Sequence, residues 1–235
     1  MSSQPLRLRA FLHRSCQRPS VSTDLDHTPA HDLFRELRAR LDPGYLEDLA
    51  VTTARCRHHE SAREMFADLC AFPNVHEACV NLAGSPVVDV DEVLDVLTHA
   101  WPALRKFSLE NDPFPDIEHQ DFQDPYMETR RYATLAGLSP LARRCPRLRI
   151  LSIPLRVDED HIPRPLEHDT AHLSVARQVG IDVGKAVVGD KAVEVAAFLV
   201  SIFPSVQFVS ACDAVATVDD GWKNVEHLIN QAGET

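Results

Sequence analysis

Four stretches of this chain align without a gap: FPNVHEACV, WPALRKFSL, CPRLRILSI and FPSVQFVSA. In each, a bulky residue or Cys precedes a proline (Pro73, Pro102, Pro146, Pro204), and apolar residues stand at the second, fifth and seventh positions after it. The three apolar columns are Val75, Leu104, Leu148 and Val206, then Ala78, Phe107, Leu151 and Val209, then Val80, Leu109, Ile153 and Ala211. A fifth copy lies upstream, where PGYLEDLAV puts Leu46, Leu49 and Val51 in the same columns and Gly44 in the proline position. This self-similarity constrains the fold more than any local feature. A unit too small to bury its own apolar face must stack on its neighbours and share a core with them.

Counted from the proline position, the copies lie 29, 29, 44 and 58 residues apart. The last gap is twice an ordinary unit, and a degenerate copy starting at Leu173 (LSVARQV) would divide it. The pattern LxxLxL is the strand signature of a leucine-rich repeat, and a period near 29 leaves room for a strand plus a full helix. The helices are read just before each proline, as HDLFRELRARL, SAREMFADLCAF, VDEVLDVLTHAW, YATLAGLSPLARRC and AVEVAAFLVSIF. In the third, Val93, Leu94, Leu97 and Trp101 fall on one stripe at helical spacing. Proline lacks an N–H and biases the residue before it away from helical geometry, so each one ends a helix and turns the chain into a strand. The expected fold is therefore α/β: a leucine-rich repeat solenoid with short parallel strands on the concave face and helices on the convex face.

Residues 1–30 mix Ser, Pro, Arg and Thr with little periodicity and read as a flexible lead-in, with at most one short helix at 6–12. The repeat domain then spans 31–235. An acidic, Pro- and Gln-rich insertion at about 111–131 accounts for the 44-residue spacing, and residues 157–170, with Pro163 and Pro165, read as a loop. Trp222, Val225, Leu228 and Ile229 place a capping helix at about 220–231, over the open end of the last repeat.

Charge narrows the partners. The 24 Lys and Arg face 35 Asp and Glu, and beyond residue 64 the balance is 14 basic against 26 acidic residues. An acidic body repels a phosphate backbone, so nucleic acid is not expected as a partner. The longest apolar run, at 195–203, is nine residues, about half of what a membrane span needs. The six cysteines are scattered without a CxxC pair, and Met1 leads into a polar stretch rather than a secretory leader. Reduced thiols and a cytoplasmic or nuclear location are expected.

Enzyme-like strings are few. His168 and His172 (HDTAH) are four residues apart, as in zinc hydrolases, but Asp169 stands where the general base is usually Glu, and no third ligand is evident. Cys56, His58, His59 and Glu60 (CRHHE) are adjacent side chains that diverge. Asp89, Asp91 and Glu92 open the third helix, where carboxylates complement the positive helix end. Asp213, Asp219 and Asp220 follow the last strand, yet GxxxxGK[ST], GxGxxG and GxSxG are all absent. Neither a cofactor nor a resident metal is expected, and Trp101 and Trp222 read as core residues.

A surface remains. Alternate residues of a strand point oppositely, so if the LxxLxL columns face the helices, the positions between and beside them face the concave side. They include Asp48 and Thr52, Glu77 and Asn81, Lys106 and Glu110, Ser152, and Phe208 and Ser210. Polar and slightly acidic in the early units and more apolar in the late ones, this surface suits a protein ligand.

The segments LFRELRARL, TLAGLSPLARRCPRLRILSIPL and VAAFLVSIFPSVQFV resemble the leucine-rich repeat half of the F-box-type proteins of mushroom-forming fungi, over roughly residues 31–230. The resemblance implies a non-enzymatic, substrate-binding region of a ubiquitin ligase receptor, with a Skp-type adaptor as a further partner wherever a docking element exists. No LPxEL-like opening of an F-box stands before residue 31, so the implication covers the recognition half. Two other readings stay open: a metal-dependent hydrolase using His168 and His172, and a truncated paralogue without retained function.

Overall fold

The computed structural model describes residues 9–11, 20–23, 30–52, 61–81, 89–110, 132–158, 160–165, 179–182, 188–204, 206–210 and 220–232. What unites them is a turn made again and again at the prolines. Phe72, Trp101, Cys145 and Phe203 each end a helical segment with nearly the same backbone angles, φ from −105° to −125° and ψ from 63° to 80°. The N–H of Trp101, Cys145 and Phe203 still closes the last helical turn, onto the carbonyls of Leu97, Leu141 and Leu199 at 2.8–3.0 Å. Their own carbonyls then accept from Leu104, Leu148 and Val206, at 2.9–3.1 Å, across the proline. Proline supplies no N–H to continue the helix, and the next apolar column begins the strand.

The strands and helices follow in chain order: β1 (Arg9–Phe11), β2 (Ser20–Thr23), α1 (Ala30–Arg40), β3 (Asp48–Thr52), α2 (Ala62–Phe66), β4 (Glu77–Asn81), α3 (Val90–Ala100), β5 (Lys106–Glu110), β6 (Ala133–Thr134), α4 (Ser139–Arg144), β7 (Ile150–Ser152), β8 (Leu155–Arg156), β9 (Val179–Asp182), α5 (Ala192–Ile202), β10 (Val206–Ser210) and α6 (Asp220–Ala232). Short 3₁₀ turns, Leu69–Ala71 and Ala136–Leu138, follow α2 and precede α4. The fold is mixed α/β. Eight strands form one sheet in the order β1-β2-β3-β4-β5-β7-β9-β10, parallel except for the β1–β2 pair, and β6 and β8 form a separate parallel pair.

Register makes the repeat explicit. Asp48, Glu77, Lys106, Ile150, Gly180 and Phe208 are consecutive partners across six strands. The carbonyls just before the strands are shared in the same way each time. Glu47 accepts from the N–H groups of His76 and Glu77, His76 from those of Arg105 and Lys106, and Arg105 from those of Arg149 and Ile150, all at 2.7–3.2 Å.

The apolar columns supply one face of the sheet. Val75, Leu104 and Leu148 are buried, as are Phe107, Leu151 and Val80, and they join the inward residues of every helix in a single cluster. The stripe read in the third helix is fully inside: Val93, Leu94, Leu97 and Trp101 are at most 1% exposed. On α6, Trp222, Val225 and Ile229 are buried and Leu228 packs partly against the same cluster.

Four expectations need correction. The flexible lead-in contributes β1 and β2, with Val21 in register with Leu49, and Arg9–Phe11 is strand where a short helix was read. SVST offers one apolar residue, too few for the column pattern to register. The strand described in the 58-residue gap is Val179–Asp182, which overlaps the copy read at Leu173 only in its last residue; Ile181, fully buried, fills the column of Leu151 and Val209, and residues 173–178 lie outside the described residues. The helix read in YATLAGLSPLARRC is confined to Ser139–Arg144, since Pro140 fits only a first helical turn. Finally, SAREMFADLCAF is split into α2 and a 3₁₀ turn. The acidic insertion at 111–131 lies outside the described residues, as do 166–170 of the expected loop.

Candidate functional site

The strands β3, β4, β5 and β7 alternate between the cluster and the opposite face, as in β4, where Ala78 and Val80 are buried while Glu77, Cys79 and Asn81 are not. Pairing places the nine sequence-derived positions in three rows on that opposite face. Asp48, Glu77 and Lys106 share the first row, with Ile150, Gly180 and Phe208. Ser152 and Ser210 share the second row with Ala50, Cys79, Ser108 and Asp182. Thr52, Asn81 and Glu110 make the third.

Glu77 and Lys106 are exposed, while Asp48, Asn81 and Ser152 are half-buried. The backbone alone places Thr52, Glu110, Phe208 and Ser210, whose side chains lie outside the described residues. Ile150, next to Lys106 in the first row, is 49% exposed, one of three large apolar side chains so open among the described residues. Glu77 and Lys106 are register neighbours of opposite charge, yet no ion pair joins them. Both heads are therefore available to a ligand.

Two groups of residues were missed by the sequence reading. Gly180 and Asp182 extend the rows onto β9, hidden because Gln178 occupies the first apolar column of that unit. A further row, Glu47, His76, Arg105 and Arg149, runs just ahead of the strands, ordered by the shared carbonyls. Its charge passes from acidic to basic along the sheet. His76 Nδ1 lies 3.6 Å from Glu47 Oε2, both side chains partly covered.

No group of three or more His, Cys, Asp or Glu side chains among the described residues could hold a metal ion, and His168, His172 and the CRHHE string lie outside them. Asp89 is a helix cap: its carboxylate accepts from the N–H groups of Asp91 and Glu92 at 3.1 and 3.3 Å. Burial pushes the Cys145 thiol up to about 12, so it stays protonated at neutral pH and is a poor nucleophile. Trp101 and Trp222 are at most 2% exposed and belong to the core. No helix among the described residues is long and apolar enough to cross a membrane.

One polar clasp outside the sheet holds α3 to the segment around β6. The Asp91 carboxylate accepts from the Thr134 N–H at 2.9 Å and from the Thr134 hydroxyl at 2.7 Å, and the Gly137 N–H donates to Thr134 Oγ1 at 3.1 Å. Burial raises the Asp91 carboxyl above its ordinary value, against the lowering effect of the two Thr134 bonds. The clasp is structural. It anchors the chain where it leaves the acidic insertion.

No protein-family model, no curated protein and no solved structure matches the chain.

Proposed function

We propose that the chain is a non-enzymatic protein-recognition module, a leucine-rich repeat solenoid that captures a protein ligand on the open face of its sheet. The observation that carries this reading is the register. Residues 29 and 44 positions apart are brought side by side in one row, where Glu77, Lys106 and Ile150 are exposed together. Mixed charge around an apolar anchor supplies orientation and energy for binding a protein surface.

The resemblance to fungal F-box-type proteins adds a context: selection of a protein for ubiquitination, with a Skp-type adaptor as the second partner if the chain carries a docking element. A cytoplasmic or nuclear location belongs to the same reading.

The test is affinity capture from fungal lysate with the chain tagged at its C-terminus. A stoichiometric partner is expected, and the Glu77→Lys/Glu110→Lys double variant should lose it by roughly tenfold or more while keeping its circular dichroism spectrum and melting temperature. Undiminished capture by the folded double variant would refute the assigned face. Co-purification of an adaptor and a cullin would establish the ligase context, and a different partner without them would establish a free-standing module.

A further inference from the structure

We infer that the open face takes an acidic peptide segment carrying one bulky apolar side chain, held at the corner formed by Arg105, Lys106, Arg147, Arg149 and Ile150. The inference rests on the protein-recognition reading and names the ligand class. It starts from a contradiction in charge. The chain as a whole has 11 more acidic than basic charges, yet four cations converge where β5 and β7 begin.

Their convergence is fixed by backbone. Arg149 and Ile150 both donate to the Arg105 carbonyl, at 2.7 and 3.2 Å, so the two arginines sit on adjacent strands at the same level. Lys106 and Ile150 are the register partners that follow, and Arg147 lies two residues upstream of Arg149. Arg147, Arg149 and Lys106 are exposed and Arg105 is half-buried.

None of the four has a carboxylate partner among the described residues. Arg38, Arg40 and Arg144 by contrast are paired, with Asp68 at 3.0 Å, with Glu36 and with Asp95 at 2.5 Å. Neighbouring unpaired cations repel one another, and the arrangement becomes favourable when an anion is brought between them. Ile150, 49% exposed in their midst, adds an apolar contact that a free phosphate or a sugar–phosphate backbone would leave unused. Glu77, in register beside Lys106, gives the corner an acidic edge that takes a basic group or N–H donor of the same ligand, which fixes its direction.

A nucleic acid is the competing polyanion. It would engage the same arginines but would extend over the acidic body, so the short acidic segment is favoured.

The test is fluorescence anisotropy with the full chain and three labelled probes at physiological salt: a short Asp/Glu peptide with a central Leu, the same peptide with Lys in place of every acid, and a single-stranded oligonucleotide. The acidic Leu peptide is expected to bind best. The Arg105→Glu/Arg149→Glu variant should weaken it by roughly tenfold or more, and Ile150→Ser by several-fold, with Arg63→Glu on α2 as the folded control. Equal or tighter binding of the Lys peptide or the oligonucleotide would overturn the inference, as would acidic binding indifferent to the arginine pair. If the acidic peptide fails while the lysate partner is still captured in a Glu77-dependent way, the ligand class is wrong and the recognition reading survives. Loss of both would remove the recognition reading itself.

Discussion

Phe107→Ala is expected to lower the stability of the chain by about 3–5 kcal/mol, the usual consequence of removing a fully buried aromatic ring. Phe107 is 1% exposed on β5, the strand between β4 and β7 in the main sheet. Its partners in register are Ala78 and Leu151, so the ring stands beside a methyl group on one side and a branched aliphatic on the other. Neither neighbour can fill the space that truncation leaves. Domains of this size are stable by about 5–15 kcal/mol, so the loss is a large share of the whole. Urea denaturation measures it as a shift in midpoint at unchanged slope. A loss below about 1 kcal/mol would mean that the Phe107 column does not face the core.

The second large effect belongs to a residue with no side chain. A Cβ on Gly137 would lie 1.9 Å from Asp91 Oδ1 and 2.5 Å from its carboxyl carbon, closer than any real contact. Gly137→Ala must therefore push the Asp91 carboxylate off Thr134, breaking both bonds of the clasp. The expected loss is about 1–3 kcal/mol, from overpacking at the buried Gly137 together with the lost Thr134 bonds. The double-variant cycle separates this cause from a general intolerance of Ala. In an Asp91→Ala background the obstructing carboxylate is gone, and adding Gly137→Ala should cost less than about 1 kcal/mol. Additive losses would show that the two residues do not meet.

The sign of any acid dependence at the clasp follows from the raised Asp91 carboxyl. Its folded value lies above the unfolded one, so the associated stability is fully present below the ordinary carboxylate range and is lost as pH rises through the folded value.

What could be read from the sequence was whatever is local or strictly periodic. The proline turns are local: Phe72, Trp101, Cys145 and Phe203 take one backbone shape because each precedes a proline and drops its side chain into the core. The inward columns are periodic, and every described member of them is buried. The strand Val179–Asp182 escaped because its unit puts Gln178 in the first apolar column and lacks the proline ahead of it, leaving only Ile181 and Val183 in the pattern. β1 and β2 escaped because RAF and SVST are short and carry three apolar residues between them, and their place is set by pairing, β2 with β3 and β1 with β2, rather than by their own composition.

The outward rows were only half legible. Alternation along a strand named the outward residues, but the neighbours of each depend on register between strands that lie 28 to 44 residues apart. Arg105 and Arg149 become neighbours only once β5 and β7 are paired across the acidic insertion. The clasp is hidden for the same reason, since Asp91 and Thr134 are 43 residues apart and neither belongs to a repeating column.

The central claim is that successive units, including the one absent from the column pattern, set their outward residues side by side in one row of a single sheet. Cysteine cross-linking across β7 and β9 tests it most directly. Ser152 and Asp182 are register partners, and neighbouring strands lie about 4.7–4.9 Å apart, within the span that a disulfide bridges. Oxidation of the Ser152→Cys/Asp182→Cys variant should therefore give an intramolecular bond that peptide mapping assigns to this pair, formed much faster than in Ser152→Cys/Gly180→Cys, which is out of register. Equal or preferential bridging of the out-of-register pair, or no bridge in either, would contradict the pairing and with it the binding face.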